Sequence, residues 1–217
     1  MRSSCRSCTG VSWPPSTGCS DRESFRPRGS ATMRVIAGSA KGRRLGPVPP
    51  GTRPVSDRAR EGLFASLGEE VVQARCLDLF AGTGAVGIEA LSRGAASCVF
   101  VDRSRPAAAA VRGNLRLTGF EDRATVTCVP VERFLRSGEH DRFSLVFADP
   151  PYEISGVELA RVLSALEEGW LDPEGWTVVV TRGHKGSLPA VPVHWAARRH
   201  LRYGDSLAIL YTEVGWA

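Results

Sequence analysis

Four consecutive residues, Asp149, Pro150, Pro151 and Tyr152, follow directly on the apolar run from 143 to 148. An acid, two rigid prolines and an aromatic ring at the end of a predicted strand would form a pocket for a flat group that carries an amine. Proline holds φ at about −65° and has no N–H, so the Asp149 carboxylate and the neighbouring carbonyl become fixed hydrogen-bond acceptors. The tyrosine ring offers a face for stacking. These four are our candidate catalytic residues.

The chemistry that this tetrad could support follows from the behaviour of exocyclic amines. The nitrogen lone pair is delocalised, so the amine attacks an electrophile only when acceptors hold its hydrogens and aim its lone pair. A carboxylate beside the nitrogen stabilises the positive charge that develops during attack and can take the proton. The pocket is equally compatible with adenine, guanine or glutamine. An ordinary Asp-Pro turn after a strand is the alternative explanation.

A glycine-rich segment lies upstream, after the short apolar run from 76 to 81. Segment 82–87 matches the dinucleotide-binding pattern G-x-G-x-x-G, and Asp102 ends the next apolar run, where an acid could bind ribose hydroxyls. This pattern alone would suggest a nicotinamide-dependent enzyme. Asp78 argues against that class, because a carboxylate inside the strand would repel a diphosphate and attract a cation. S-adenosylmethionine, with its positive sulfonium and positive amino group, suits the site better.

The positive charge of the chain is concentrated in a short amino-terminal arm. The whole chain carries +5, but residues 33–60 contain seven basic residues and one acidic residue, a net of +6 (7 − 1). Residues 61–217 contain 16 basic and 20 acidic residues, a net of −4 (16 − 20). Segments 34–38 and 42–45 could pair as a small hairpin that carries its guanidinium groups outward. Such cations would give a salt-dependent affinity for nucleic acid, and a merely solvated arm is the alternative.

These motifs carry a resemblance to known enzymes. Segment 78–84, Asp-Leu-Phe-Ala-Gly-Thr-Gly, resembles motif I of class I S-adenosylmethionine-dependent methyltransferases. Segment 149–152 resembles motif IV of their amino-methylating branch. The bacterial 16S rRNA guanine-N2 methyltransferases, which modify guanine 966, are similar over residues 33 to about 211, and the segments that carry this similarity are 33–38, 42–45, 53–64 and 203–208.

That resemblance implies direct transfer of a methyl group from S-adenosylmethionine to N2 of one guanine in 16S rRNA, with no metal and no covalent enzyme intermediate. The guanine would leave its stack and enter the cleft, as base-modifying enzymes require. The enzyme would be a cytoplasmic monomer, and its substrate RNA in a protein-bound, assembling small subunit. The candidate cofactor-binding residues are Asp78, Phe80, Ala81, Gly82, Thr83, Gly84, Asp102, Arg103, Val131, Glu132, Arg53 and Ser56. The candidate RNA-binding residues are Arg34, Lys41, Arg43, Arg44 and Arg58.

In that family the Arg-Pro segment caps the methionine end of the cofactor. We therefore expect Arg53, Ser56 and a helix from 57 to about 67 to close the site. Ser56 suits the N-cap of this helix, and apolar positions on one helix face suit its docking onto the domain. Those positions are Leu63, Phe64, Leu67 and Val71.

The chain departs from the family pattern at two positions. Val55 stands where threonine is common, which removes a hydroxyl near the cofactor. Pro130 stands where many relatives carry an acid or amide that holds the adenine amine. Adenine recognition is therefore expected to rely on the backbone of Val131 and on Glu132.

Apolar runs and helix-like patterns alternate from residue 74 onward, which predicts an α/β fold. We expect a doubly wound, mostly parallel, seven-stranded Rossmann-like methyltransferase sheet, preceded by a basic β-hairpin arm. The motifs then lie at the carboxyl ends of strands, where such sheets bind ligands, and in that family the last hairpin includes the one antiparallel strand. The predicted strands are 74–80, 97–102, 124–129, 143–148, 176–181, 194–203 and 206–212, and the predicted helices are 84–93, 104–118, 131–137 and 155–168.

Three regions of different character divide the chain. Residues 1–32 are rich in Ser, Pro, Gly and Arg and lack the apolar run of a signal peptide. We expect them to be disordered or to be an upstream extension, with translation starting at Met33; the intact mass of the natively expressed protein tests this. Residues 33–73 form the basic arm and the cofactor-capping helix, and residues 74–217 form the methyltransferase domain. No apolar run approaches the roughly 20 residues that cross a bilayer.

The cysteines agree with a cytoplasmic protein. Cys5 and Cys8 form a single C-x-x-C pair without a second pair or a nearby histidine, so no zinc site is expected. Cys76, Cys98 and Cys128 fall in predicted core strands, where we expect them to be buried as small apolar side chains.

Three other functions remain open at this stage. A protein glutamine methyltransferase has the same fold, but the first residue of its tetrad is normally asparagine. DNA adenine methyltransferases also use Asp-Pro-Pro-Tyr, usually with a further target-recognition domain. A non-catalytic RNA-binding assembly factor would need the basic arm alone, and the intact tetrad and glycine-rich motif argue against it.

Overall fold

A seven-stranded sheet forms the centre of the protein. The computed structural model describes residues 33–49, 55–137, 141–151, 153–183 and 189–215. The segment 1–32 and the predicted site residues Arg53 and Tyr152 lie outside these ranges. The strands are β1 (Arg75–Leu79), β2 (Ser97–Val101), β3 (Ala124–Thr127), β4 (Leu145–Ala148), β5 (Thr177–Gly183), β6 (Trp195–Tyr203) and β7 (Ser206–Glu213).

The strand order confirms the predicted doubly wound topology. Neighbours follow the order β3-β2-β1-β4-β5-β7-β6, and pairs among the first five are parallel. Strand β7 runs antiparallel to both β5 and β6, so the last hairpin contains the antiparallel strand, as expected. The chain crosses from β3 at one edge back to β4 beside β1. Ligands bind at such a reversal of strand order in open α/β sheets.

Helices cover both faces of the sheet. Because the core strands are buried on both sides, their side chains feed two separate apolar clusters, and in β1 Cys76 belongs to one and Leu77 to the other. The helices are α1 (Asp57–Leu67), α2 (Ala85–Ser92), α3 (Arg105–Thr118), α4 (Val131–Phe134) and α5 (Gly156–Glu167). The first cluster includes side chains of α1, α2 and α3, and the second includes side chains of α4 and α5. Among the described residues, none of the helices has the length and apolar character that a membrane span requires.

Serine N-caps fix where three of these helices begin. The Ser56 hydroxyl accepts a hydrogen bond from the Ala59 N–H at 3.2 Å, which confirms the predicted cap of α1. Ser104 caps α3, and Ser155 caps α5 in a reciprocal capping box with Glu158. Such caps satisfy N–H groups that have no partner inside the helix.

The amino-terminal arm forms the predicted hairpin. Arg34 and Arg44 make an antiparallel bridge, and the Leu45 N–H donates to the Met33 carbonyl at 2.8 Å. Gly38, with φ of +82°, lies against α2 so closely that an added Cβ would overlap the Ser92 carbonyl. The arm is therefore packed onto the domain and is not a detached surface ribbon.

One predicted core residue is placed differently. Cys76 and Cys98 are buried, as expected, but Cys128 is only half-buried, with its Sγ atom 3.9 Å from the Arg103 carbonyl oxygen. The prediction was wrong because β3 ends at Thr127 and lies at the sheet edge. The residues of β3 itself are half-buried or exposed at this edge, and Cys128 follows directly on them.

Candidate active site

Three loops meet at one edge of the sheet because the strands that precede them are in register. Leu79 of β1 pairs with Val101 of β2 and with Ala148 of β4. The glycine-rich loop, Asp102 and Asp149 follow directly on these three residues, so they leave the sheet at the same level. The structure therefore brings the predicted cofactor and catalytic segments together.

The loop after β1 turns sharply before α2. Phe80 has φ of +59°, a conformation that costs energy for a side chain other than glycine and that clusters at functional sites. Gly82 and Gly84 also have positive φ, and Gly84 is the N-cap of α2. A Cβ on Gly87 would come within 2.4 Å of the Phe100 ring, so this glycine lets α2 lie directly on β2.

Two other loop residues hold the turn from within. The Ala81 N–H donates to the Val101 carbonyl at 3.1 Å, and the Ala81 carbonyl accepts from the Gly84 N–H at 2.7 Å. Thr83 is buried, with its hydroxyl 3.9 Å from the Met33 sulfur. The Thr83 side chain thus points toward the arm, which leaves its backbone as the part that can face a ligand.

Asp78 lies beneath this loop, buried within β1. Its Oδ2 atom accepts a hydrogen bond from the Gly87 N–H at 3.1 Å. Burial raises the pKa of the Asp78 carboxyl well above its ordinary value, the Gly87 hydrogen bond opposes this, and the charges of Asp149 and Asp102 raise it further. None of these three carboxyl groups forms an ion pair with a described residue, which favours a positively charged ligand.

Asp102 links the second strand to the glycine-rich loop. Its Oδ2 atom accepts from the Gly82 N–H at 2.9 Å, and its Oδ1 atom accepts from the Ser104 N–H at 2.8 Å. The side chain is half-buried at the open edge. Each carboxylate oxygen has a further lone pair, so Asp102 can still accept hydrogen bonds from ligand hydroxyls.

Asp149 and the prolines occupy the end of β4. Asp149 is half-buried, Pro150 is buried and Pro151 is exposed. Burial raises the pKa of the Asp149 carboxyl to about 6. The Pro151 carbonyl accepts from the Ile154 N–H at 3.1 Å, which fixes the turn into α5. A carboxyl with this pKa is ionised at neutral pH but close to the range in which it can exchange a proton.

The expected capping helix α1 lies against the core. Leu63, Phe64 and Leu67 are buried, and the Phe64 ring centroid is 5.8 Å from that of Phe147 in β4. Ser56 and Arg58 are exposed at the start of the helix. Helix α1 is therefore fixed against the core, and Arg53 lies outside the described residues.

Arg60, one of the seven basic residues of segment 33–60, has a structural role that the sequence did not predict. We counted it with the cations of the arm, but its side chain is 0% exposed. Its Nη2 atom donates to Asp57 Oδ1 at 2.6 Å and to the Arg34 carbonyl at 2.8 Å, and Nη1 lies 3.4 Å from the Ala85 carbonyl. Arg60 therefore joins the arm, α1 and the start of α2, and it is not available to a phosphate.

Two further polar residues that hold the arm were missed. The Glu89 carboxylate, on α2, accepts from the Ile36 N–H at 2.7 Å and from the Ala37 N–H at 3.0 Å. Asn114, on α3, accepts from the Gly46 N–H at 2.7 Å. Glu89 is the single charged residue within Ala85–Ser92, and that contrast is a signal that could have indicated a buried role.

The candidate RNA-binding cations are at the surface. Arg34 Nε lies 3.5 Å from Asp57 Oδ2, and Arg43 Nη1 donates to the Leu117 carbonyl at 2.8 Å, so these two also anchor the arm. The remaining donors of both guanidinium groups stay accessible. The exposed cations are Arg34, Lys41, Arg43, Arg44 and Arg58.

The predicted adenine-binding segment begins α4. The Val131 side chain is buried in the second apolar cluster, so only its backbone can face the open edge. Glu132 and Arg103 are exposed. Pro130 precedes the helix without a side-chain cap, which leaves first-turn N–H groups of α4 as donors.

Comparison with known proteins places this site in a family. The family model described as "Conserved hypothetical protein 95" matches residues 33–212. The chain is 37% identical to ribosomal RNA small subunit methyltransferase D of Escherichia coli (strain K12), over 84% of this chain and 91% of that protein. It is 35% identical to the protein of the same name from Haemophilus influenzae, over 78% of this chain and 88% of that protein.

Solved structures are also similar to this protein. An Escherichia coli structure, described as that of a candidate methyltransferase, aligns with a TM-score of 0.75 at 34% identity, over 85% of this chain and 99% of that chain. A Thermus thermophilus hypothetical protein aligns with a TM-score of 0.70 at 32% identity, over 82% and 98% of the two chains. The chain therefore belongs to the conserved hypothetical protein 95 family and to the same family as ribosomal RNA small subunit methyltransferase D.

Proposed function

We propose that this protein transfers a methyl group from S-adenosylmethionine to the exocyclic N2 of a guanine in 16S rRNA, at a position of the guanine 966 type. The observation that carries the proposal is the register of β1, β2 and β4, which sets Asp149 beside the glycine-rich loop and Asp102. Relatives named ribosomal RNA small subunit methyltransferase D support the RNA substrate.

The residues around the glycine-rich loop fit this cofactor. Bound S-adenosylmethionine would supply an electrophilic methyl group on a positive sulfonium. The pKa of Asp78 is raised by burial and by neighbouring carboxyl groups, so a positively charged ligand would bind favourably beside it. Asp102 would accept from the ribose hydroxyls, and the backbone from Phe80 to Gly84 would line the methionine moiety. The backbone of Val131, together with Glu132 and Arg103, would lie at the adenine.

Asp149 would act on the guanine amine. Its carboxylate and the Pro150 carbonyl would accept the two N2 hydrogens, which aims the nitrogen lone pair at the methyl group. As positive charge develops on N2, the carboxylate stabilises it and can accept the released proton. Tyr152 would stack on the base, and Pro150 restrains the backbone between the two acceptors.

The arm would hold the RNA backbone. Its hairpin is fixed to the domain through Glu89 and Asn114. Arg34 is joined through Arg60 to the start of α2, and Arg43 contacts the end of α3, so the exposed cations have fixed positions along the domain. Phosphates would contact the five exposed cations of the arm and α1. We further propose that the protein acts as a monomer on the protein-bound RNA of an assembling small subunit.

Substitution of Asp149 tests the assignment. Asp149→Ala is expected to abolish methyl transfer to unmethylated small-subunit particles while S-adenosylmethionine binding, measured by calorimetry, stays within about threefold, because Asp149 lies on the acceptor side. Glu153→Ala, at an exposed position beyond the tetrad, is the matched control and should keep activity. Turnover at the wild-type rate by Asp149→Ala would overturn the proposal.

A further inference from the structure

A second concave surface lies outside the candidate active site. It is a groove of about 790 Å³ between the segment that follows the hairpin and the outer face of α3. We call it the α3 groove. One wall is Gly46, Pro47, Val48 and Pro49, and the other is formed by Pro106, Ala110, Gly113, Asn114, Arg116 and Leu117. Its volume is that of a small-ligand site, and most of its lining is apolar.

Gly113 forms an open part of the floor. Glycine in a helix interior destabilises the helix relative to alanine, so its presence calls for a reason. A Cβ built on Gly113 would meet no atom within 4 Å, which means that packing within the described protein does not require a glycine here. The missing side chain instead leaves the helix backbone accessible to a flat group from outside.

The groove is bordered by positive charge. Helix α3 carries Arg105, Arg112 and Arg116 and no acidic residue. Arg116 lines the groove itself, whereas Arg112 donates from Nη2 to the Val126 carbonyl of β3 at 3.1 Å. At the far end, Arg43 of the hairpin donates to the Leu117 carbonyl. The groove thus continues the basic surface of the arm.

We propose that the α3 groove binds an unstacked base of the substrate RNA, separate from the target guanine, while the bordering arginines hold the adjoining phosphates. The proposal rests on the proposed function, because it takes RNA as the partner. Proline rings, the aliphatic Leu117, which is 52% exposed, and the bare backbone at Gly113 would contact the faces of the base. An apolar peptide could also fill the floor of the groove. It would carry no negative charge to pair with the arginines, whereas a nucleotide carries a phosphate, and this favours the nucleotide.

Filling the groove tests the proposal. Gly113→Leu adds a strong helix former where space is available, so the variant should fold and unfold at a temperature no lower than the wild type. Its affinity for 16S rRNA transcribed in vitro and assembled with small-subunit proteins should fall about tenfold, as expected for loss of one stacked base. Ser164→Leu, at an exposed position in the middle of α5 on the opposite face, is the control and should bind like the wild type. Equal affinity of all three proteins would overturn the proposal.

Photocrosslinking identifies the occupant. Leu117→p-benzoylphenylalanine, irradiated with the same particles, should crosslink to RNA, and Ser164→p-benzoylphenylalanine should not. A crosslink from position 117 to a ribosomal protein, or no crosslink while the variant still methylates the particles, would overturn the proposal. Methyl transfer by the wild type is measured in the same samples, so a failure of the proposed function is detected separately from a failure of the groove.

Discussion

The Asn114 side-chain amide donates a hydrogen bond to the carbonyl of Thr83, in the glycine-rich loop, at 2.8 Å. The carbonyl oxygen of the same amide accepts from the Gly46 N–H, in the segment after the hairpin. One buried side chain therefore holds both the proposed cofactor loop and the proposed RNA-binding arm. The bond to Thr83 is buried and the bond to Gly46 is partly buried, so loss of either partner is costly to the native structure.

Replacement of Asn114 is expected to affect both regions. Asn114→Ala leaves two backbone groups without their partner and should lower the free energy of unfolding by about 1–3 kcal/mol. Affinity for S-adenosylmethionine should fall as well, because the Thr83 carbonyl loses its donor. Denaturant titration and calorimetry measure the two effects. Thr118→Ala is the control. Thr118 is buried on the same helix, and its hydroxyl donates to the Asn114 and Leu115 carbonyls of that helix. An equal loss of S-adenosylmethionine affinity in Thr118→Ala would contradict the role of Asn114.

Arg60 should contribute to the stability of the fold and not to the binding of RNA phosphates. Arg60→Met removes the donor to Asp57 and to the Arg34 carbonyl while keeping the apolar length of the side chain. The free energy of unfolding should fall by about 1–3 kcal/mol, because the Arg34 and Ala85 carbonyls lose a donor while Asp57, whose side chain is 40% exposed, can be solvated. Chemical denaturation checks this, with exposed Arg58→Met as the matched control on the same helix. A larger loss in Arg58→Met would contradict the account.

The loss of kcat/KM at low pH should reflect protonation of the Asp149 carboxylate. Burial raises the pKa of this carboxyl to about 6, and the proposed reaction needs the ionised form. The value of kcat/KM should therefore rise with pH through about 6 and be roughly tenfold lower at pH 5 than at pH 7.5. The residual activity of Asp149→Asn should show no such loss. A profile that is flat from pH 5 to 7.5 in the wild type would contradict the assignment.

The same pKa has a consequence for stability. A carboxyl whose pKa rises from 3.8 to about 6 on folding is neutral in both states well below pH 3.8. Between pH 3.8 and about 6 the unfolded state is ionised first, so stability falls as the pH rises, and above about 6 this loss is complete. Asp149→Asn should therefore be more stable than the wild type at pH 8, by about 1–2 kcal/mol after allowance for partial exposure. The difference should vanish as the pH falls below 4. Denaturation curves at both pH values check this, and a constant difference would contradict it.

The hairpin cations should set the salt dependence of RNA binding. Lys41→Ala combined with Arg44→Ala removes two exposed charges that do not anchor the arm through any hydrogen bond found in the described structure. The slope of log affinity against log salt should flatten by about 1.4–1.8. Arg161→Ala, on α5 across the sheet, should leave the slope as it is. An unchanged slope in the double variant would remove the hairpin from the RNA interface.

Local patterns were sufficient to predict the sheet and the edge at which the candidate site residues lie. Alternating apolar runs gave all seven strands, and Ser56 and the apolar face of α1 behaved as expected, because these features depend on neighbours in the chain. What failed depended on distant contacts. The buried state of Arg60 requires its contacts with Arg34 and Ala85. Cys128 is half-buried because the edge strand β3 ends at Thr127, one residue before it. The α3 groove requires segment 46–49 to lie along a helix some 60 residues later, which no periodicity reveals.

Identification of the methylated nucleoside shows whether this protein methylates N2 of a guanine in 16S rRNA. The purified protein would be incubated with labelled S-adenosylmethionine and unmethylated small-subunit particles, and the 16S rRNA digested to nucleosides and mapped. We expect N2-methylguanosine at a single position of the guanine 966 type with the wild-type protein, and none with Asp149→Ala. Label in N6-methyladenosine, or in protein glutamine in place of RNA, would contradict it.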